Sequence, residues 1–71
     1  MVIKAKNLEV GSSYLIDPKD RYEDYLLEVK ILAVTPKAVK WERQDRKAEE
    51  RHPSWISLAK FEDNYTIIEQ L

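Results

Sequence analysis

Residues 25–43, YLLEVKILAVTPKAVKWER, constrain the fold more than any other stretch of the sequence. Apolar and polar side chains alternate on both sides of a proline, which is the pattern of two half-buried β-strands. Proline fixes φ and lacks an N–H, so Pro36 suits the second position of a tight turn and not the centre of a strand. Thr35 precedes it and is restricted to extended geometry. We therefore predict a long β-hairpin that turns at Thr35, Pro36, Lys37 and Ala38.

The alternation assigns the side chains of this hairpin to two faces. One face of the first strand carries Leu27, Val29, Ile31 and Ala33. On the return strand, three residues of one face, Val39, Trp41 and Arg43, alternate with Lys40 and Glu42. We expect the apolar face of the first strand to form the centre of a small core.

Three further strands are predicted around the hairpin. The first covers residues 13–17 and follows Gly11, the only glycine, where we expect a positive φ or a close backbone approach. Residues 17–20 (DPKD) have the chemistry of a turn, and 18–24 read as a polar loop. A short strand covers 55–58, and the last covers 65–71 with Ile67 or Ile68 facing inward.

Two segments near the C-terminal end are neither clear strands nor clear loops. Residues 44–52 contain one apolar residue, so we interpret them as a charged loop with at most a helical turn. Residues 59–64 suit a single helical or 3₁₀ turn that places Phe61 in the core. An alternative is a helix from a Ser54 N-cap through Glu62, which would bury Trp55, Leu58 and Phe61 at helical spacing.

Composition limits the class of protein. Residues 1–71 are short enough to form a single domain, and the absence of cysteine removes disulfides and thiolate metal sites. The N-terminal residues lack the apolar region of a signal peptide, and no run approaches the ~18 apolar residues of a membrane span. We therefore expect a cytoplasmic protein without membrane association.

The net charge of −1 argues against a protein built mainly to coat nucleic acid. The charge is unevenly distributed, however. Residues 17–28 hold five acidic and two basic residues, a net of −3, whereas residues 37–51 hold six basic and four acidic residues, a net of +2. The sequence thus predicts one acidic and one basic end.

The order of the predicted elements is strand, acidic loop, long strand, tight turn, strand, charged loop, short strand, helical turn and last strand. This layout over residues 14–71 resembles small SH3-like barrels, which carry a 3₁₀ turn between their last two strands. The peptide-binding motif of eukaryotic SH3 domains has no counterpart here, so polyproline recognition is not implied. In general character the chain also resembles small proteins of bacteriophages and bacterial genomes. We predict an all-β domain, a five-stranded SH3-like barrel with one helical turn before the last strand.

Patterns that suggest catalysis or metal binding are weak. Ser57 and Lys60 fit S-x-x-K, but the companion motifs of penicillin-binding enzymes are missing. His52 is the only histidine and has no cysteine beside it. The carboxylates of Asp17, Asp20 and Asp24 lack the spacing and glycine of a calcium loop, and one glycine cannot build a phosphate loop. We predict no enzyme, no cofactor and no metal.

Surfaces are the stronger candidates. The acidic loop offers arginine and tyrosine, which are favoured at protein interfaces, and tryptophans flank the basic stretch. The candidate binding residues are Arg21, Tyr22, Tyr25, Lys40, Trp41, Arg43, Arg46, Arg51 and Trp55.

Three functions compete for these surfaces. The first is non-catalytic protein binding, which the phage-like resemblance would direct at a bacterial host or defence protein. The second is nucleic-acid binding by the basic 37–51 hairpin, with Trp41 or Trp55 beside it stacked on bases and its cations on phosphate. The third is self-assembly, including homodimerisation through an edge strand.

Overall fold

The computed structural model describes residues 3–19, 26–44 and 47–71. Five strands form one antiparallel sheet: β1 (Ser13–Pro18), β2 (Leu27–Val34), β3 (Ala38–Arg43), β4 (Ser54–Ser57) and β5 (Tyr65–Gln70). One α-helix, α1 (Leu58–Asn64), connects β4 to β5, and short 3₁₀ turns cover Ala5–Asn7 and Ala48–Glu50. The predicted all-β class, with five strands and a helical turn before the last strand, is confirmed.

The strand order is β4-β3-β2-β1-β5. Among the described residues, each of the two outer strands pairs with a single neighbour, β4 with β3 and β5 with β1. In the described part of the chain the sheet is therefore open and does not close into the predicted barrel.

The central hairpin turns where the proline predicts. Thr35 N–H donates to the carbonyl of Ala38 at 2.8 Å, and the Thr35 hydroxyl accepts from the amides of Ala38 at 2.9 Å and Lys37 at 3.3 Å. The side chain of Thr35 thus bonds the amides that follow Pro36, a common role of threonine in turns.

A β-bulge changes the faces within β2. Ile31 pairs with Trp41 but Ala33 pairs with Lys40, so Leu32 is an extra residue on β2. Before the bulge the predicted inward residues are buried; after it Val34 packs against the core. The bulge moves the inward phase by one residue, which is why the predicted placement of Ala33 on the buried face was wrong.

The core lies on one face of the sheet and is covered by α1 and the N-terminal segment. Its fully buried large side chains are Tyr14, Phe61, Ile16, Ile31, Val29 and Val39. The Tyr14 hydroxyl accepts a hydrogen bond from Glu9 N–H at 2.9 Å, which satisfies the polar end of a buried ring. Ala5 N–H donates to Glu62 Oε1 at 2.8 Å and so attaches the first 3₁₀ turn to α1.

Gly11 has the positive φ that the sequence predicts, at +87°. A Cβ at this position would meet no atom within 4 Å, so the glycine is required by backbone conformation and not by space. Its N–H donates to the carbonyl of Ile31 at 2.8 Å, which joins the turn to β2.

Two strand boundaries differ from the sequence-based expectation: β1 extends to Pro18, and β4 covers Ser54–Ser57 instead of 55–58 because Leu58 begins α1. Pro18 is the last residue of β1 and pairs with Tyr65, so the turn predicted from Asp17 was wrong at its start; Asp20 lies outside the described residues. A proline fits a strand end because its missing N–H is not needed there. On β5, Ile67 is the inward residue and Ile68 is 44% exposed.

Residues 47–52 agree with the charged-loop interpretation and contain a 3₁₀ turn at Ala48–Glu50, whereas residues 45–46 lie outside the described ranges. The alternative helix from Ser54 was wrong, because Ser54–Ser57 is a strand and α1 begins only at Leu58. Ser57 is the N-cap, and its hydroxyl accepts from Lys60 N–H at 3.1 Å. Phe61 is fully buried, as predicted.

Candidate functional site

The two tryptophans that flank the charged loop have different environments. Trp41, on β3, packs against the core. Its ring lies edge-on to Phe61 at a centroid distance of 5.7 Å and to Tyr65 at 5.5 Å. These contacts are those of a structural aromatic residue.

The indole Nε1 of Trp41 is buried and has no hydrogen-bond acceptor within reach among the described residues. The ring borders a small cleft of about 160 Å³ that Arg43, His52 and Ser54 complete. A buried donor without a partner costs about 1–3 kcal/mol, so the ring is retained for its packing and not for its polarity.

Trp55 is the exposed tryptophan. It lies on β4 and is 54% exposed, the largest aromatic surface among the exposed apolar residues of the described chain. Its cross-strand partner is Lys40 on β3. Directly paired residues share a face, so both side chains lie on the outer face of the sheet, away from the core.

The main chain of β4 is available beside this side chain. In an antiparallel ladder, a strand bonds its neighbour through every second residue. Leu58 N–H donates to Lys37 C=O at 2.9 Å, which fixes the phase. In the observed register Ser54 and Ile56 therefore bond to β3, while the N–H and C=O of Trp55 point away from the sheet. We call these outward groups, with the Trp55 side chain, the β4 edge.

The other edge of the sheet is less regular. The register of β5 against β1 shifts between Leu15 and Ile16, which makes Ile68 an extra residue on β5. Bulges of this kind hinder the addition of another strand. The pairing of β4 with β3 contains no such shift, so β4 is the edge that offers a regular template.

The basic candidates do not gather on one face. Lys40 lies on the outer face with Trp55, whereas Arg43 has the alternation phase of Trp41. Arg43 and Arg51 line a cleft of about 290 Å³ with Glu50 and His52. Arg51 also donates from Nη2 to a backbone carbonyl of the loop, that of Gln44, at 3.3 Å. The remaining candidates, Arg21, Tyr22, Tyr25 and Arg46, lie outside the described residues.

The residues of the S-x-x-K match have a structural role. The hydroxyl of Ser57 caps α1 by accepting from the backbone amide of Lys60, a bond that does not involve the lysine side chain. Among residues 3–19, 26–44 and 47–71, no three His, Asp or Glu side chains converge as a metal site would require.

The sequence pattern does not indicate which main-chain groups the β4 edge presents. The available signal was Pro53, because a proline next to a short strand is typical of an edge. Only the pairing register shows which of the following amides point outward.

Comparison with known proteins identifies no family for this chain. No protein-family model, no curated protein and no solved structure matches the chain. None of the helices in the described ranges is long and apolar enough to cross a bilayer.

Proposed function

We propose that this chain is a non-catalytic protein-binding domain that binds an extended segment of its partner along the β4 edge. The observation that carries the proposal is Trp55, a 54% exposed tryptophan beside outward main-chain groups on a regular edge strand. Main-chain hydrogen bonds supply affinity in this mode of recognition, and side chains next to the edge supply specificity. Tryptophan is one of the residue types enriched among energetically dominant interface residues.

We also propose that the fold of this small β-sheet domain resembles that of SH3-like domains. The strand order and the helical segment between β4 and β5 support it. The resemblance to small phage and bacterial proteins implies that the partner is a bacterial host or defence protein, so bacterial lysate is the appropriate source of partners.

Nucleic-acid binding is less well supported than protein binding. Trp41, one of the two aromatic candidates, is partly buried and packs against the core. Lys40 and Glu42 are two residues apart on β3 and therefore share the outer face, so the cation next to Trp55 has an acid on its other side. Alternating signs weaken the attraction of a phosphate backbone.

The test is affinity capture from bacterial lysate with tagged wild-type protein, Trp55→Ala and Ile68→Ala, each with and without nuclease. Ile68 is a matched control, because it is exposed to a similar degree on the opposite edge. We expect one protein, identified by mass spectrometry and then purified, to bind wild type and Ile68→Ala at least tenfold more tightly than Trp55→Ala.

Two results would overturn the proposal. Equal affinity of wild type and Trp55→Ala for the purified partner would exclude the β4 edge as the contact surface. Loss of every partner on nuclease treatment would replace protein binding with nucleic-acid binding.

A further inference from the structure

We infer that, in the absence of another partner, the β4 edge pairs with the β4 edge of a second copy of this chain, antiparallel and about a twofold axis at Trp55. The inference rests on the proposed function, because it uses the same surface. It goes further by naming the occupant and the register.

The β4 edge presents a short series of main-chain N–H and C=O groups. By alternation from the bonded pair of Leu58 and Lys37, Trp55 and Ser57 of β4 face outward, and we extend the same alternation by one residue to Pro53, which directly precedes the strand. Trp55 contributes an N–H and a C=O. Ser57 contributes only its N–H, since the carbonyl of an N-cap residue accepts the first bond of its helix. Pro53 contributes only its C=O, since proline has no N–H.

The outward groups of one copy complement the outward groups of a second copy. With the axis at Trp55, its N–H donates to the carbonyl of the partner's Trp55 and its carbonyl accepts in return. Residue 57 then lies opposite residue 53, and Ser57 N–H donates to the carbonyl of the partner's Pro53, twice by symmetry. A regular ladder would also contain a bond from the N–H of residue 53 to the carbonyl of residue 57. That bond is absent here, because proline has no N–H, and its loss leaves nothing unpaired, because the Ser57 carbonyl already accepts a bond within α1. Each outward N–H or C=O group that is not already hydrogen-bonded is therefore paired.

Neighbouring registers pair fewer groups. An axis at Ile56 places residue 55 opposite residue 57, which requires the Ser57 carbonyl as an acceptor although α1 uses it. An axis at Ser54 places residue 55 opposite residue 53, which leaves the Trp55 carbonyl without a donor. An unpaired polar group at an interface costs free energy, so the structure favours the axis at Trp55.

The side chains agree with this register. Directly opposed residues of a bonded antiparallel pair have Cα atoms about 5.5 Å apart with side chains on one face. The two exposed indoles would therefore meet on the outer face and cover each other, and aromatic pairs gain stability beyond their buried area. In each copy Lys40 lies on β3, on the side of Trp55 that faces away from the junction. The two ammonium groups are therefore separated by both β4 strands.

The interface is a single short strand pair, well below the area of stable dimers. We therefore expect a weak, concentration-dependent dimer. The experiment is sedimentation equilibrium from 10 µM to 2 mM on wild type, Trp55→Ala and Ile68→Ala, in about 0.15 M salt, where surface charge is screened. Wild type and Ile68→Ala should approach twice the monomer mass at the highest concentrations, whereas Trp55→Ala should need at least tenfold more protein for the same increase.

A cysteine trap tests the register. The chain has no cysteine, so each single-cysteine variant gives one possible disulfide. Trp55→Cys loses the indole contact but keeps the main-chain bonds of the junction, so both cysteine variants are compared at 2 mM. At that concentration it places two sulfurs across the axis at a Cα separation within the 4.4–6.8 Å that a disulfide accepts. Under mild oxidation we expect it to form a covalent dimer at least tenfold faster than Ile68→Cys, the control for random collision.

The outcomes separate this inference from the proposed function. A monomer at every concentration, or equal cross-linking of the two cysteine variants, would overturn self-pairing. If a purified partner nevertheless bound wild type and not Trp55→Ala, the proposed function would stand and the natural occupant would be that partner's strand. If neither self-pairing nor partner binding depended on Trp55, both would fail.

Discussion

Replacing each tryptophan by leucine separates a structural role from a surface role. Trp41 contacts the rings of Phe61 and Tyr65, whereas Trp55 is 54% exposed on an edge strand. We therefore expect Trp41→Leu to lower the free energy of unfolding and leave the β4 edge in place. Trp55→Leu should leave the free energy of unfolding almost unchanged and weaken binding at the edge.

The magnitude for Trp41 follows from its contacts. Removing a fully buried tryptophan costs about 3–5 kcal/mol, and because Trp41 is only partly buried we use the lower half of that range, about 3–4 kcal/mol. The figure includes two edge-on ring contacts of about 0.5–1.5 kcal/mol each. Leucine refills part of the volume and eliminates the Nε1 donor that lacks an acceptor, which together recover about 1–3 kcal/mol. The net loss is about 2 kcal/mol. A domain of 71 residues has roughly 4–10 kcal/mol in total, so the variant still folds.

Thermal unfolding at low micromolar concentration, where self-pairing contributes nothing, measures the difference. A loss of about 1 kcal/mol lowers Tm by about 4–8 °C in a domain of this size, so Trp41→Leu should melt about 8–16 °C below wild type. Trp55→Leu should fall within about 4 °C, as exposed substitutions do. Equal Tm values for the two variants, or a larger loss for Trp55→Leu, would refute the assignment of Trp41 to the core and Trp55 to the surface.

Two further predictions concern the N-cap of α1, which follows β4, and the glycine turn that precedes β1. Ser57→Ala should lower the free energy of unfolding by about 1 kcal/mol by removing the cap of α1, whereas Lys60→Ala should leave it almost unchanged because only the backbone of Lys60 takes part. Chemical denaturation of both variants checks this, and equal losses would contradict it. Gly11→Ala should cost about 1 kcal/mol because φ is +87°, and Gly11→Asn should cost less, since asparagine tolerates this conformation better; the reverse order in the same assay would contradict the backbone explanation.

Much of the fold is predictable because local chemistry and pattern agree. Pro36, with a threonine before it, determines the hairpin turn, and strict alternation identifies Val29 and Ile31 as core residues. The bulge at Leu32 has no comparable signal, because it results from the fit between two strands. The same holds for Pro18, whose turn chemistry is overridden by its pairing with Tyr65. Whether the sheet closes is also a property of strand pairing and not of any one segment.

The candidate site shows where pattern alone is insufficient. In the sequence, Trp41 and Trp55 are equivalent aromatic residues on either side of a charged loop. Their difference comes from one pairing: Lys40 lies opposite Trp55, so Trp55 must face the outer side, while the neighbouring Trp41 must face the core with Val39. A shift of one residue in this register would bury Trp55 and expose Ile56. It would also exchange the main-chain groups that point outward. The exposed indole and the available amides therefore have a single cause, and a measurement that locates one of them locates the other.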